Sequence, residues 1–225
     1  MEAMVNAIEK NDKVKHAIVC TTFPQRYGHM KDVPKNEIVG KSRIHRFYTP
    51  EHNNSFILQF FSYLIFGVST VFFTLRNKNK FDVVFATSSR LGTGVLGYIV
   101  SKILKKKLAL DIRDIFSDSL KSLDFCKTTL GKFFVKLVKK IETIICERSL
   151  WMNFVSPGFL RYGHMSPAGK HICLFSNGID NIFLQNKFEN SVAFNNPMVI
   201  TYAGNIGYGQ GLEKTVIPIA EYFKE

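Results

Sequence analysis

Hydrophobic and polar positions fall into two textures along this chain. Short, continuous apolar runs recur: His16-Ala-Ile-Val-Cys-Thr-Thr22, Phe81-Asp-Val-Val-Phe-Ala-Thr87, Lys107-Leu-Ala-Leu-Asp-Ile112, Trp151 to Val155 and His171 to Phe175. Runs of this length, bounded by turn residues, predict buried strands. Between them lie stretches with helical spacing. Met1 to Glu9 sets Met4, Ala7 and Ile8 on one side, and Gly92 to Lys105 predicts another helix. Phe23 to Asn36 carries Pro24, Gly28 and Pro34 and predicts a loop, while Glu37 to Tyr48 predicts a short strand region. Strands alternating with helices of this length imply βαβ units and a parallel sheet.

Two further helical stretches have unusual faces. Thr129 to Leu150 places Leu130, Phe133, Phe134, Leu137, Ile141, Ile144 and Ile145 at helical spacing, with Lys132, Lys136, Lys139 and Lys140 mostly off that stripe. The stripe is expected to face the core, with membrane contact as the other reading. Ser55 to Thr74 holds no charge and approaches the length that spans a bilayer. Gln59, Ser62, Ser69 and Thr70 dilute it, so a buried or membrane-surface helix is expected, with Arg76, Lys78 and Lys80 as interfacial anchors.

The C-terminal stretch changes texture. Phe188 to Asn196 reads as a linker, Pro197 to Gly204 as a strand, and Gly211 to Lys224 as a helix. One βα unit cannot bury its own sheet face, so it reads as the start of a second α/β domain. The expected organisation is a domain over residues 1–187, a linker over 188–196 and the opening of a second domain over 197–225.

Composition adds partners and excludes others. Hydrophobic residues are 46% of the 225, including 21 Phe, enough for a sizeable core. The net charge of +12 favours anionic partners: phosphorylated small molecules or acidic lipid surfaces. The lysines are scattered over helices and no DNA- or RNA-binding module is visible, so nucleic acid is not expected as a partner. Cys20, Cys126, Cys146 and Cys173 are widely spaced, without CxxC, which fits a reduced, cytoplasmic setting. The six His form no metal-binding pattern, and no metal or cofactor is expected.

The candidate chemistry sits where strands end. Gly92-Thr-Gly94-Val-Leu-Gly97 is a literal GxGxxG after a strand, with Asp111 near the offset of a ribose-binding acid. Ser88, Ser89 and Arg90 separate strand and glycine, however, and the match is not in the first βα unit. Close packing of the helix on the sheet is therefore expected instead, with Ser88 and Ser89 facing a substrate cleft. Leu110-Asp-Ile-Arg-Asp-Ile115 groups Arg113, able to pair with phosphate or a nearby acid, with Asp114, able to accept sugar hydroxyls. An internal Arg–Asp salt bridge is the competing reading. Asn177-Gly178-Ile-Asp180 offers a turn. Tyr202-Ala-Gly204-Asn205-Ile-Gly207-Tyr-Gly-Gln210-Gly211 is a glycine-rich turn suited to a diphosphate near a helix N-terminus.

These blocks resemble, in order and spacing, those of glycosyltransferase family 4. The stretches are Phe81 to Ser88, Asp111 to Ile115, Val155-Ser-Pro-Gly158, Ser176 to Asp180 and Tyr202 to Gly207. The similarity runs from about Val14 onward and is nearest to the bacterial surface-polysaccharide branch that includes N-acetylfucosamine transferases of O-antigen synthesis. It implies a GT-B fold, two Rossmann-like domains facing a cleft, of which this chain holds the acceptor-side domain and the first βα unit of the donor-binding one. It implies transfer from a nucleotide-sugar to a lipid-linked saccharide, with retention and without metal, at the cytoplasmic face of the plasma membrane.

The resemblance also assigns residues. Arg113 and Asp114 match the block beside the reacting sugar and are the catalytic candidates. Ser88, Ser89, Asn177, Gly178 and Asp180 are the substrate-binding candidates. Gly204, Asn205, Gly207 and Gln210 border the donor diphosphate, where many members carry Arg and Lys instead. The family's first strand with its glycine loop, and its paired glutamates, have no counterpart here. The expectation is a part of a longer enzyme, inactive alone. Two other classes stay open: a NAD-type oxidoreductase built on Gly92, Gly94 and Gly97, and a non-catalytic membrane-associated scaffold.

Overall fold

The computed structural model describes residues 2–24, 33–51, 56–88, 91–122, 124–178, 181–185, 201–204 and 211–223. It divides into two compact units. One comprises residues 1–114 with 139–175, the other 115–138 with 176–225. The linker expected over 188–196 lies outside the described residues.

The first unit holds two sheets. Helix α1 (Glu2–Glu9) precedes strands β1 (Ala17–Thr22), β2 (Asn36–Val39) and β3 (Ser42–Phe47). Their order is β1-β3-β2, with β1 parallel and β2 antiparallel to β3. The single strand region expected over Glu37 to Tyr48 is thus a hairpin. Gly40 turns it at φ +54°, a left-handed conformation that suits the first residue of a two-residue hairpin loop. A side chain there would collide with Glu9, whose carboxylate accepts from Lys41 N at 2.7 Å.

The second sheet is parallel, as expected, and takes four of the five expected strand runs; the run from His16 forms β1 of the first sheet instead, paired with β3. Strands β4 (Val83–Ser88), β5 (Lys107–Ile112), β6 (Trp151–Phe154) and β7 (His171–Leu174) lie side by side in chain order, all parallel. The central strands carry the core. Leu108, Leu110, Ile112, Met152 and Phe154 are buried. At the outer strand β4, Val83 and Phe85 are exposed, because an end position leaves part of a strand uncovered. The side chain of His16, just before β1, donates from Nε2 to the carbonyl of Lys80, just before β4.

Helix α2 (Phe56–Arg76) is inverted relative to a core helix. Its buried residues include Ser62 and Thr70; Ser62 Oγ donates to the carbonyl of Pro50 at 2.8 Å. Phe66 and Phe73 pack edge-to-face against Phe47. Ile57, Phe60, Phe61, Leu64, Val68 and Phe72 are exposed. Only 11% of the apolar span Ile57–Arg76, mean hydropathy 1.7, is buried. Helix α3 (Leu91–Leu104) crosses from β4 to β5. It ends in a Schellman motif: Lys105 takes φ +53°, and Lys106 N bonds the carbonyl of Ser101 at 2.9 Å.

Short helices follow in the second unit: α4 (Phe116–Ser119), then 3-10 turns over Leu120–Ser122 and Asp124–Lys127. Helix α5 (Thr129–Arg148) starts there and ends in the first unit. The register of α5 differs from the expected one. Its buried line is Gly131, Val138, Glu142, Ile145 and Cys146, followed by Ser149. Leu130, Phe133, Phe134 and Leu137, expected in the core, are exposed. Gly131 forces this: a Cβ there would lie 2.1 Å from the Phe125 carbonyl oxygen, so only glycine allows so close an approach. Further along, buried Glu142 meets His164 Nε2 at 3.1 Å. The acid thus faces inward and the apolar stripe is rotated away. The remaining helices are α6 (Asn181–Gln185) and α7 (Glu213–Tyr222). In the stretch expected to form a strand, 197–200 lie outside the described residues and Thr201 to Gly204 belong to no strand.

Candidate functional site

The C-terminal ends of the parallel strands bring the candidate residues of the first unit together. In open α/β sheets this end is where ligands bind, because the loops there diverge around a crevice. Ser88 ends β4 and is in register with Ile112 at the end of β5. The backbone continues the pairing one residue further: Arg113 N donates to the Ser88 carbonyl at 3.1 Å. Arg113 and Asp114 therefore leave the sheet beside Ser88.

Asp111 organises this end. Its carboxylate is buried and its two oxygens have separate donors. Asn153 Nδ2 donates to Oδ1 at 2.7 Å and Arg113 Nε donates to Oδ2 at 2.8 Å. Asn153 sits one strand over, in register with Asp111. Its amide also clamps the end of β7: Phe175 N donates to Asn153 Oδ1 at 2.8 Å, and Asn153 Nδ2 reaches the Phe175 carbonyl at 3.3 Å. One asparagine thus ties β5, β6 and the exit of β7. The local pattern places Asn153 in a strand but does not single it out, because a polar residue in so short a run gives no sign of whether it is buried. A buried amide inside a core strand, level with a buried acid on the next one, is the signal that marks it.

The Arg113–Asp111 pair is the internal salt bridge that the sequence allowed as the competing reading. It is asymmetric: the side chain of Asp111 is 7% exposed and that of Arg113 48%. Arg113 is anchored to Asp111 through Nε, and about half of its side chain is exposed. Such an arrangement holds a cation at the strand ends, where it could meet a phosphate or carboxylate.

The glycines of the GxGxxG stretch serve packing. A Cβ on Gly97 would lie 2.6 Å from Ala86 Cβ, one on Gly94 3.3 Å from Ser88 Oγ, and one on Gly92 2.8 Å from the Tyr63 ring. Helix α3 thereby sits close against β4 and α2. Asp111, the offset acid of a dinucleotide site, has both oxygens engaged inside the protein. Both features a dinucleotide fingerprint would use are occupied by the fold.

The loop after β6 is built locally. Ser156 Oγ accepts from Gly158 N at 3.2 Å, and Pro157 opens a 3-10 turn over Pro157–Arg161. In the second unit, Asn177 and Gly178 are exposed, and Gly178 is not among the glycines with positive φ. Gly204 is exposed, and a Cβ there would lie 2.6 Å from the Tyr202 hydroxyl. Gly211, at φ +59°, turns the chain into α7, whose first residues have no side-chain cap. Ser89, Asp180, Asn205, Gly207 and Gln210 lie outside the described residues.

No group of three or more His, Cys, Asp or Glu among the described residues is placed to hold a metal ion. A depression of about 270 Å³ is lined by residues of β2, β3 and the end of α2, among them Glu37, His45 and Phe73. No protein-family model and no curated protein matches the chain. Among solved structures it is similar to a sucrose-phosphate synthase from Thermosynechococcus elongatus, with TM-score 0.49 and 12% identity over 81% of this chain and 88% of that one.

Proposed function

We propose that this chain is the acceptor-side part of a retaining glycosyltransferase. It acts in bacterial surface-polysaccharide synthesis, moving a sugar from a nucleotide diphosphate to a lipid-linked saccharide on the cytoplasmic face of the plasma membrane. The observation that carries the reading is the cluster at the strand ends. Ser88, Arg113 and Asp114 emerge side by side, over an Asp111–Asn153 pair that fixes the sheet beneath them. These are the blocks whose order resembles glycosyltransferase family 4.

The chemistry fits the residues. As the bond from the anomeric carbon to the diphosphate breaks and that to the acceptor oxygen forms, negative charge builds on the departing phosphate. An anchored, half-exposed guanidinium such as that of Arg113 opposes that charge, or holds the diphosphate of the acceptor lipid. Asp114 would accept hydroxyls of the acceptor sugar. The glycine-rich turn ahead of α7 would approach the donor diphosphate through backbone N–H groups. No metal takes part in this reading.

The inverted helix α2 supports the membrane half of the proposal. A helix that buries Ser62 and Thr70 while exposing Phe60, Phe61, Leu64, Val68 and Phe72 suits an apolar medium better than water.

Calorimetric titration tests the reading with a diphosphate-linked saccharide analogue, UDP, a UDP-sugar and NAD. Saturable binding of the saccharide diphosphate is expected, weakened about tenfold or more by Arg113→Ala, the share of one charge-assisted contact. Binding of NAD, with no response to the saccharide diphosphate or the UDP ligands, would select a dinucleotide enzyme and sink the proposal.

A further inference from the structure

We infer that the outward ridge of α5 is a second docking face, whose partner is an anionic lipid bilayer. The inference stands on this helix alone and goes beyond the transferase reading. Successive residues of a helix turn by about 100°, so the side chains of α5 sort into three sectors. The first holds Gly131, Val138, Glu142, Ile145 and Cys146, which are buried. The second holds Lys132, Lys136, Lys139 and Lys140, all exposed. The third holds Leu130, Phe133, Phe134 and Leu137, between 42% and 67% exposed, continued by half-buried Ile141 and Ile144.

A solvent-facing helix places apolar residues in one sector only. Here a second apolar sector stands in water, and the protein gains nothing from its burial unless something covers it. The neighbouring sector identifies the cover. No ion pair ties the four lysines to an acid among the described residues, so their charge is available to an anionic surface. Aromatic and leucine side chains beside a row of lysines match the interface between acyl chains and acidic headgroups. Lys stems reach along the apolar ridge and hold their ammonium groups at headgroup level. The chain's net charge of +12 adds long-range attraction to the same surface.

Vesicle co-sedimentation of the full chain tests this, with phosphatidylcholine vesicles and with equimolar phosphatidylcholine and phosphatidylglycerol. Binding is expected only to the mixed vesicles. Two variants probe the two sectors: Phe133→Ser with Leu137→Ser, and Lys136→Gln with Lys140→Gln. Each is expected to weaken partitioning about tenfold or more, the lysine pair losing the salt dependence with it. The lysine pair is solvent-facing, so its binding is measured on a folded chain, checked by far-UV circular dichroism. A third variant, Phe61→Ser with Leu64→Ser in α2, separates the two helices. Loss of binding in the α2 variant with none in either α5 variant would overturn the inference and leave α2 as the docking element. Conversion of an oligomer to a monomer by the serine pair in α5, with vesicle binding unchanged, would overturn it in favour of a second copy of the chain.

Discussion

Asn153 and Asp111 lie 42 residues apart in sequence and meet through a buried hydrogen bond of 2.7 Å at the ends of neighbouring parallel strands. The pair explains why Arg113 projects where it does. Asp111 holds its Nε, and Asn153 holds Asp111, so the guanidinium is positioned by the core of the sheet. Asn153 also receives the backbone of Phe175, where the chain leaves β7.

Asn153→Leu should therefore act on stability more than Arg113→Ala does. The first leaves a buried carboxylate oxygen and the Phe175 N–H without partners, a cost of about 2–4 kcal/mol. The second removes one of two donors to the buried Asp111 carboxylate, but on the side where Arg113 is half-exposed and water can replace it, so it should cost less, about 1–2 kcal/mol. Urea denaturation of both variants measures the difference. Equal losses would mean that Asp111 is held mainly by Arg113.

Gly97 is a packing residue, so a larger side chain should push α3 off the sheet. A Cβ at position 97 falls 2.6 Å from that of Ala86. Gly97→Val should accordingly cost about 1–3 kcal/mol. Ala86→Gly should restore part of that loss in the double variant, because it vacates the contested space. A thermal melt of the three proteins reads this out. No rescue would mean that the contact with Ala86 is not the one that matters.

His45 predicts an acid limit to stability. Its ring stacks on Phe73 at 4.4 Å and edges against Phe47, and its Nδ1 bonds the side-chain oxygen of Asn36. That oxygen only accepts, so Nδ1 carries the proton of a neutral ring. Burial, with Lys35 nearby, lowers its pKa below the usual 6.5. The unfolded chain then takes up a proton before the folded one does. Stability contributed here is complete above pH 6.5 and is lost as pH falls through the folded value. Melting temperature should decline on acidification below that point, and His45→Phe should flatten part of the decline. An unchanged slope in the variant would assign it to other groups.

The cysteines should divide by reactivity. Burial, aided by Glu142 and Glu147, pushes the Cys146 thiol up to about 12, and burial alone pushes Cys20 to about 11. Both are thiols at neutral pH and poor nucleophiles. Labelling of the native protein with Ellman's reagent should be at least about a hundredfold slower at both than at an exposed cysteine, and should become fast in urea. Prompt native labelling of Cys146, located by peptide mapping, would contradict its burial beside Met165.

The strands and most helices are legible in the sequence because they are decided locally. Leu108, Leu110 and Ile112, or Met152 and Phe154, are apolar in short runs, and a short run of this kind has few stable states besides a covered strand. The placement of Ser88, Arg113 and Asp114 follows from the same logic, since the C-terminal ends of parallel strands all lie along one edge of the sheet. Glycines 92, 94 and 97 announce a close approach, although only their neighbours Tyr63, Ser88 and Ala86 show that the approach is to protein.

What the sequence could not determine is which way a two-faced element turns. Helix α5 offers two apolar sectors and α2 offers both small polar and aromatic ones, and helical periodicity ranks them by hydrophobicity alone. Tertiary contacts chose the less hydrophobic side in both. Gly131 is pressed on the backbone at Phe125, Glu142 is matched to His164, and Ser62 reaches the carbonyl of Pro50. Each of these depends on a partner outside the helix, and such contacts outweigh the burial of a few more phenylalanines, even though the buried Thr70 Oγ1 of α2 finds no hydrogen-bond partner among the described residues. Asn153 belongs to the same class: nothing near it in sequence explains an amide in a core strand, and only the adjacent Asp111 does.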